Sequence, residues 1–497
     1  KMNCLLINPS TPEGSQLSVF TKMSTSPPLG VGYIAGYLLE KGIEVKIIDE
    51  QVTPLSDKDI EREISLLNYP KIVGLSCMTL NSARVYELAR KIKKCDPMTS
   101  IFCGGIHPTV IPEEVISHDD IDGVVIGEGE LTFYEVVSNL LEKRPLDDID
   151  GLIFKKDGEI VRNKSRGLIK NLDDIPAFPF HLFDTTYTQY SLFANIIGTR
   201  GCPYDCIFCS QRKMTGKKFR THSIERILAD IDLLINRYSE KCITFSDDML
   251  LSNKLFFKRF LKRIIENRYQ DKVSFIMQAR SDYIDEEIIS LMKQANFSLL
   301  SFGIETGTQR LMDFIQKEEK MEDHIRAVKL ASEAGIPTNA VFIFGFPTET
   351  EEDREETIRF ASSLPLDSVR FNIAVPYPGT RMYDIALEEN RLMKKKNWEN
   401  FAVQYYLMND NIPYTPKGTS RYRLIYQTMK ANLMFYLQPK KVSEMVFSKK
   451  LKYGGVITFK ENISLKEKVS SQLQLGNAAF RIGLRFLFIS LLSVIRK

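Results

Sequence analysis

The sequence predicts an α/β protein in three parts: an N-terminal doubly wound parallel sheet, a partial (β/α)6 barrel of the TIM type, and a mainly helical C-terminal region. Three observations carry that reading. Short apolar runs alternate singly with helical patterns from residue 2 to 145, the same alternation resumes from 191 to 385 after a proline-rich break, and beyond 386 it stops. A parallel pair needs a long crossover, so single helices between strands force parallel pairing.

Asn3 to Asn8 is an apolar run closed by Asn-Pro, the pattern of a buried strand and its turn. Gly30 to Lys41 carries Val31, Tyr33, Ile34, Tyr37, Leu38 and Leu39 at helical spacing and stops at Gly42. Strands follow at Glu44 to Asp49, Lys71 to Ser76, Ser100 to Cys103 and Gly123 to Ile126, with helices at Asn81 to Lys94 and Glu130 to Leu141. Ligands of open α/β sheets bind beyond the carboxyl ends of the strands. Here those ends carry Ser76, Thr79 and Asn81; Gly104, Gly105, His107 and Thr109; and Gly127, Glu128 and Gly129. Any one of these is an ordinary turn, but three on one sheet edge mark a ligand site. No Gly-x-Gly-x-x-Gly follows the first strand, so a dinucleotide is not indicated.

Residues 146 to 190 read as a linker, with a hairpin at Gly151 to Val161 turning on Asp157-Gly158 and a proline-rich stretch at Asp173 to Asp184. The barrel strands are Phe193 to Thr199, Lys241 to Asp248, Val273 to Arg280, Ser298 to Glu305, Thr338 to Gly345 and Ser368 to Val375. Helical patterns lie between them at Ser223 to Asn236, Asn253 to Glu266, Glu286 to Ala295, His324 to Ala334 and Thr350 to Leu364. Barrel enzymes place reactive groups at carboxyl strand ends, which here present Asp247 and Asp248, Gln278 and Arg280, Glu305, and Gly345-Phe346-Pro347. Arg280 and Glu305 also fit a barrel-lining ion pair.

The first barrel strand runs into Arg200-Gly201-Cys202-Pro203-Tyr204-Asp205-Cys206-Ile207-Phe208-Cys209, a CxxxCxxC loop. Structural zinc takes four closed ligands, and no fourth Cys or His stands nearby. An iron-sulfur cubane held by three thiolates keeps one iron open for chemistry. Gly201, Pro203 and Asp205 make the loop a poor place for inert core cysteines.

Composition agrees with an enzyme of several domains. Of 497 residues, 43% are apolar and 26% charged, enough for sizeable cores. Eight cysteines are too few for a disulfide scaffold, and a net charge of +4 gives no nucleic-acid signature. Met2 to Asn8 shows no secretory leader and no apolar run reaches a membrane span, so a cytoplasmic setting is expected. The charge is uneven: from Asn411 onward there are 16 Lys and Arg against three Asp and Glu. The last stretch, Asn477 to Lys497, is apolar and basic, with a charge-free run from Phe486 to Ile495. It reads either as a helix packed on the barrel or a partner subunit, or as one lying in a bilayer interface. The second reading would make the protein membrane-associated at the inner face, with Lys440, Lys441, Lys449, Lys450 and Lys452 facing anionic headgroups and a lipid-like substrate. Nucleic acid is not an expected partner.

The cysteine loop, including Phe208 ahead of the third cysteine, resembles the signature of radical S-adenosylmethionine enzymes. The resemblance implies that Cys202, Cys206 and Cys209 hold a [4Fe-4S] cluster whose open iron chelates S-adenosyl-L-methionine (SAM), cleaved by one electron to methionine and a 5′-deoxyadenosyl radical. By family position, Asp247 or Asp248 lies near the methionine amino group and Glu305 near the ribose; Phe208, Gln278, Arg280 and Gly345 complete the implied SAM-binding set. The family's more usual Gly-Gly-Glu at the second strand is missing here.

The order of domains resembles the cobalamin-binding branch of that superfamily. The matches are Pro27-Pro28-Leu29-Gly30, Gly104-Gly105-Ile106-His107-Pro108-Thr109, Gly127-Glu128-Gly129-Glu130, Gly303-Ile304-Glu305-Thr306-Gly307 and Gly345-Phe346-Pro347-Thr348-Glu349-Thr350, spanning residues 2 to about 385 with the cysteine loop. Cobalamin is thereby implied between sheet edge and barrel mouth, on Ser76, Thr79, Asn81, Gly104, Gly105, His107, Gly127 and Glu128. The Asp-x-His-x-x-Gly that gives cobalt a histidine in cobalamin mutases is absent, so His107 reads as a loop residue near the corrin and not as an axial ligand. The implied activity is radical methyl transfer from methylcobalamin to an unactivated carbon, fed by an electron donor such as flavodoxin or ferredoxin. A radical oxidoreductase or cyclase, as in the anaerobic porphyrin ring cyclase branch, is the second reading, and a non-catalytic carrier of the two cofactors the third.

Overall fold

The computed structural model describes residues 2–11, 25–393, 397–403, 405–407, 410–439, 441, 485–486, 488–490 and 492–493. The N-terminal strands are β1 (Cys4–Asn8), β2 (Val45–Asp49), β3 (Ile72–Ser76), β4 (Ser100–Gly104) and β5 (Gly123–Val125), and all pair in parallel in the order β2-β1-β3-β4-β5. Every residue of β1 is buried, which is why its sequence is a continuous apolar run. Strand order reverses between β1 and β3, and the crevice at such a switch point is where this architecture binds ligands. Helices α1 (Leu29–Glu40), α2 (Asp57–Leu66) and α3 (Ser82–Cys95) cover the faces. The sequence reading passed over α2, although Ser56 and Asp59 close a reciprocal capping box at its start. Short helices α4 (Ile106–Val110) and α5 (Pro112–Ile116) precede β5, and α6 (Gly129–Leu141) follows it.

The hairpin β6 (Leu152–Lys156) and β7 (Glu159–Arg162) extends this sheet instead of forming a free linker, because β6 pairs antiparallel with β5. The first domain therefore reaches Arg162, beyond the expected boundary at 145. The aromatics after it, Phe178, Phe180, Phe183, Tyr190 and Phe193, are buried and pack ring against ring.

The second sheet contains β8 (Asn195–Ile196), β11 (Cys242–Phe245), β12 (Ser274–Ala279), β13 (Phe297–Glu305), β14 (Thr338–Phe344) and β15 (Ser368–Ile373), parallel throughout and in chain order. Along β14, Thr338, Ala340, Phe342 and Phe344 are buried while Asn339, Val341 and Ile343 are half-open, the period of two expected of a strand with one fully packed face. The first strand is shorter than expected. Its end, β9 (Thr199–Arg200), turns away and pairs antiparallel with β10 (Arg220–Thr221), making a two-stranded neck under the cysteine loop. The loop leads into the short α7 (Arg212–Thr215). Outer helices are α8 (Ile224–Tyr238), α9 (Lys254–Glu266), α10 (Glu286–Gln294), α11 (Gln309–Phe314), α12 (Met321–Glu333) and α13 (Glu351–Ser363), with α14 (Arg381–Glu388) beyond β15.

The C-terminal α15 (Arg421–Tyr436) closes the open edge of the barrel. Asn432 accepts from the Phe371 N–H at 3.1 Å and donates to its carbonyl at 3.0 Å, and Tyr436 treats Val369 in the same way at 3.2 and 2.8 Å. Side chains thus replace the missing neighbour strand of β15. The described tail residues pack here too: Arg485 pairs with Asp410 at 2.6 Å, Phe486 stacks on Tyr426 at 5.5 Å, and Ile489 is buried in the barrel core. Burial of Ile489 agrees with a packed helix, while Phe488 beside it is exposed. Lys440, Lys449, Lys450 and Lys452 lie outside the described residues. Among the described residues no helix is long and apolar enough to cross a membrane.

Candidate functional site

Between the strand ends of the first sheet and the neck of the cysteine loop lies a cavity of 370 Å³. Its inner wall is apolar, with Leu6, Val31, Ile34, Phe102, Val125 and Phe133. Ser76, Gly104, Gly105, Gly127 and Glu128, all expected at a ligand site, line it. The glycines keep it open: a methyl group built on Gly30 or Gly127 would meet nothing within 4 Å. Gly105 has φ +112° and a methyl there would stand 2.7 Å from the Cys77 carbonyl oxygen, so only glycine fits.

Thr79, Asn81 and His107 are not brought to the cavity. Asn81 ties the ends of β1 and β3 together, donating to the Pro9 carbonyl at 3.1 Å and accepting from the Met78 N–H at 2.8 Å. His107 is fully buried, with Nδ1 3.2 Å from Thr79 Oγ1 and Nε2 3.4 Å from the Tyr86 hydroxyl, and the edge of its ring meets Trp398 at 5.3 Å. Both ring nitrogens already have partners, so the histidine holds the loop from beneath. Trp398 belongs to the region after the barrel and donates to Glu114 at 2.6 Å, a bridge to the first domain that no motif announced.

The cysteine loop is anchored at both ends. Gly201 takes φ +96° at its neck, where a methyl would collide with the Lys218 carbonyl. Ile207 exchanges backbone bonds with Ile315 and Met382 at 3.0 and 2.9 Å, and Phe208 packs on Phe346 at 5.4 Å, next to Gly345. Gly345 itself has φ +94° and donates its N–H to Glu349. Burial pushes the Cys206 thiol up to about 12 and raises those of Cys202 and Cys209; amides of Tyr204 and Gln211 and the cations Arg280 and Lys317 act in the opposite sense on one or another of the three. Protonated thiols so placed are inert, whereas bound iron displaces the proton. Among the described residues no three His, Cys, Asp or Glu side chains converge on a single metal ion. A cubane is larger than an ion and each thiolate meets a different iron, so three thiols spread along one loop, with amides and cations turned on them, suit a cluster.

Asp247 Oδ1 accepts from the Gly198 N–H at 3.0 Å and from Thr199 Oγ1 at 2.6 Å, while Oδ2 is shielded from solvent with no partner among the described residues. Burial pushes its carboxyl up to about 7. Asp248 Oδ2 accepts from the Gly201 N–H at 3.0 Å and Thr215 Oγ1 at 2.6 Å, and Asp248 lines the cavity. Arg280 does not pair with Glu305: it forks onto Asp282 at 3.1 Å, donates to the Lys317 carbonyl at 2.8 Å, and lies 3.4 Å over the Tyr204 ring inside the cysteine loop. Gln278 stays exposed on β12. Glu305, with φ +67° at the end of β13, receives Lys317 Nζ at 2.8 Å. Lys317 also stands 3.6 Å from Glu319 and is buried. Sequence reasoning missed Lys317, because Gln316-Lys317-Glu318-Glu319-Lys320 looks like a solvated charge run.

Two family models match the chain, the B12 binding domain over residues 20–137 and the radical SAM superfamily over residues 196–361. A methyltransferase of Pyrococcus horikoshii, itself uncharacterised, is 35% identical over 454 residues, covering 90% of this chain and 95% of that protein. The chain belongs to the cobalamin-binding radical SAM family. Its cofactors are accordingly a [4Fe-4S] cluster, SAM and cobalamin, and its reaction needs a reductant and a substrate. The anaerobic magnesium-protoporphyrin IX monomethyl ester cyclase of Rubrivivax gelatinosus is 26% identical over 366 residues, 72% of this chain and 66% of that one. The fold is shared with the radical SAM methyltransferase TsrM of Kitasatospora setae, at TM-score 0.71 and 16% identity over 88% of this chain and 92% of that chain. In this radical SAM enzyme the glycine-lined cavity, with Ser76 and Gly104 at its rim, suits part of a cobalamin, and the cysteine loop suits the cluster.

Proposed function

We propose that this cobalamin-dependent radical SAM enzyme is a methyltransferase that places a methyl group on an unactivated carbon. The observation that carries the reading is end-to-end similarity, 35% over 90% of this chain, to a protein named as a methyltransferase. When bound, the cluster and cobalamin supply one-electron cleavage of SAM and carriage of the methyl group. The chain's own residues do the rest. Cys202, Cys206 and Cys209 hold the cluster, Asp247, whose buried Oδ2 has no partner among the described residues, or Asp248, which lines the cavity, meets the SAM ammonium, and Glu305, steadied by Lys317, faces the ribose. Gly104, Gly105 and Gly127 let the corrinoid approach the backbone. No side-chain acid or base acts on the substrate carbon.

Similarity to the porphyrin ester cyclases supports a second reading, oxidation or ring closure on the same scaffold without methyl transfer. To separate the two, holoenzyme, reductant and SAM deuterated in its methyl group are incubated with a small-molecule extract. Methyl transfer predicts a product carrying three deuterium atoms that forms only when cobalamin is present. A substrate consumed without gain of deuterium would favour the cyclase reading and reject ours.

A further inference from the structure

Four charged side chains meet where the cobalamin-binding domain touches the neck of the cysteine loop. Arg200 and Arg220 are directly paired residues of the two-stranded neck, so two like charges face each other across it. Glu128 lies between them: Oε1 is 3.1 Å from Arg200 Nη1 and Oε2 is 2.8 Å from Arg220 Nη1. Glu130 takes the other arm of Arg200 at 2.6 Å. All four side chains are at most 9% exposed. Arg220 also donates to the carbonyls of Ile169 and Thr215, both at 2.7 Å, and the Ile169 N–H donates to Glu128 at 2.9 Å. Arg200 lies over Tyr33 of α1 at 5.4 Å. Glu128, Glu130, Arg200 and Tyr33 line the cavity. Both oxygens of Glu128 are thus engaged by the neck, and the residue still lines the cavity.

We infer that Glu128, Glu130, Arg200 and Arg220 are positioning residues that fix the cysteine loop, and with it the cluster, at a set distance from the corrinoid. Two acids and two bases balance without water, and the guanidinium forks define direction as well as charge. Arg200 is two residues from Cys202, so a shift of this contact moves a cluster ligand directly. The same contact forms a wall of the cavity, which lets the occupant of the cavity and the loop sense each other.

The test compares wild type with Arg200→Lys, Glu130→Gln and Glu128→Gln as full-length holoenzymes reduced to cob(II)alamin and the paramagnetic cluster. Iron and cobalt contents are measured first, then the spin–spin splitting between the two centres by electron paramagnetic resonance. We expect Arg200→Lys, which keeps the charge but loses the fork, to retain both cofactors while the single splitting of wild type shifts or spreads into a distribution. Glu130→Gln should do the same. If Glu128→Gln fails to fold, the other two variants decide the question. Wild-type contents with an unchanged splitting in both would overturn the inference, since a contact serving only stability alters the amount of folded enzyme and not the spacing within it.

Discussion

At the residue scale the most exposed assignment is Asp247. Its carboxyl titrates near 7 because burial raises it above the ordinary carboxylate range. The anion is the form that accepts an ammonium group, so SAM affinity should fall as pH drops below 7, by about tenfold per unit. Asp247→Asn should bind weakly and without that slope, as equilibrium binding at pH 6 to 8 would show; a parallel slope in both proteins would remove Asp247 from the site. The same group carries a stability signature. Because the folded value lies above the unfolded one, the native state holds the extra proton between about pH 4 and 7, and stability falls as pH rises through that window. Thermal melts of the ligand-free chain should show this fall relative to Asp247→Asn, and a flat difference would contradict it. Legibility is uneven here: the cysteines are read from spacing alone, while Lys317 is not, because its burial depends on Glu305 and Glu319 closing over it. His107, read as a loop residue near the corrin, departs from that reading for the same reason, since Thr79, Tyr86 and Trp398 enclose it only once the chain is folded.

At the element scale, strands and helices were largely legible because periodicity is local. Their partners were not. The helical pattern at Arg421 to Leu437 gives no sign that Asn432 and Tyr436 cap the edge of β15. Asn432→Ala should leave the Phe371 N–H unpaired at a partly buried position, while its carbonyl keeps the Tyr406 hydroxyl at 2.6 Å, and cost about 1–3 kcal/mol, read from chemical denaturation; a change within error would mean that water replaces the side chain. The hairpin of β6 and β7 is legible as a hairpin but its place in the first sheet is not, since nothing in a tight turn says which edge strand it will join. The neck of the cysteine loop follows the same logic. Removing one charge from its buried quartet by Glu128→Gln takes the carboxylate partner from Arg220, leaving it only carbonyl acceptors, and should cost about 3–5 kcal/mol, measurable as a lowered midpoint, and a loss of less than about 1 kcal/mol, the size of an exposed pair, would show that water enters.

At the scale of the whole molecule, the sequence places the sheet domain and the barrel in series, and the structure makes them walls of one chamber. The first sheet contributes Gly104, Gly105 and Gly127, and the barrel contributes Arg200, Thr215 and Asp248. No local pattern encodes that meeting; it rests on Glu128 and Arg200, 72 residues apart. Such an arrangement has a purpose if methyl carriage and radical formation take place beside each other and draw on the same cosubstrate. The direct measurement is the fate of SAM in the purified, fully loaded enzyme under reducing conditions. The account predicts that S-adenosylhomocysteine and 5′-deoxyadenosine both form, and that only the first disappears when cobalamin is withheld; 5′-deoxyadenosine alone, with cobalamin bound, would contradict it.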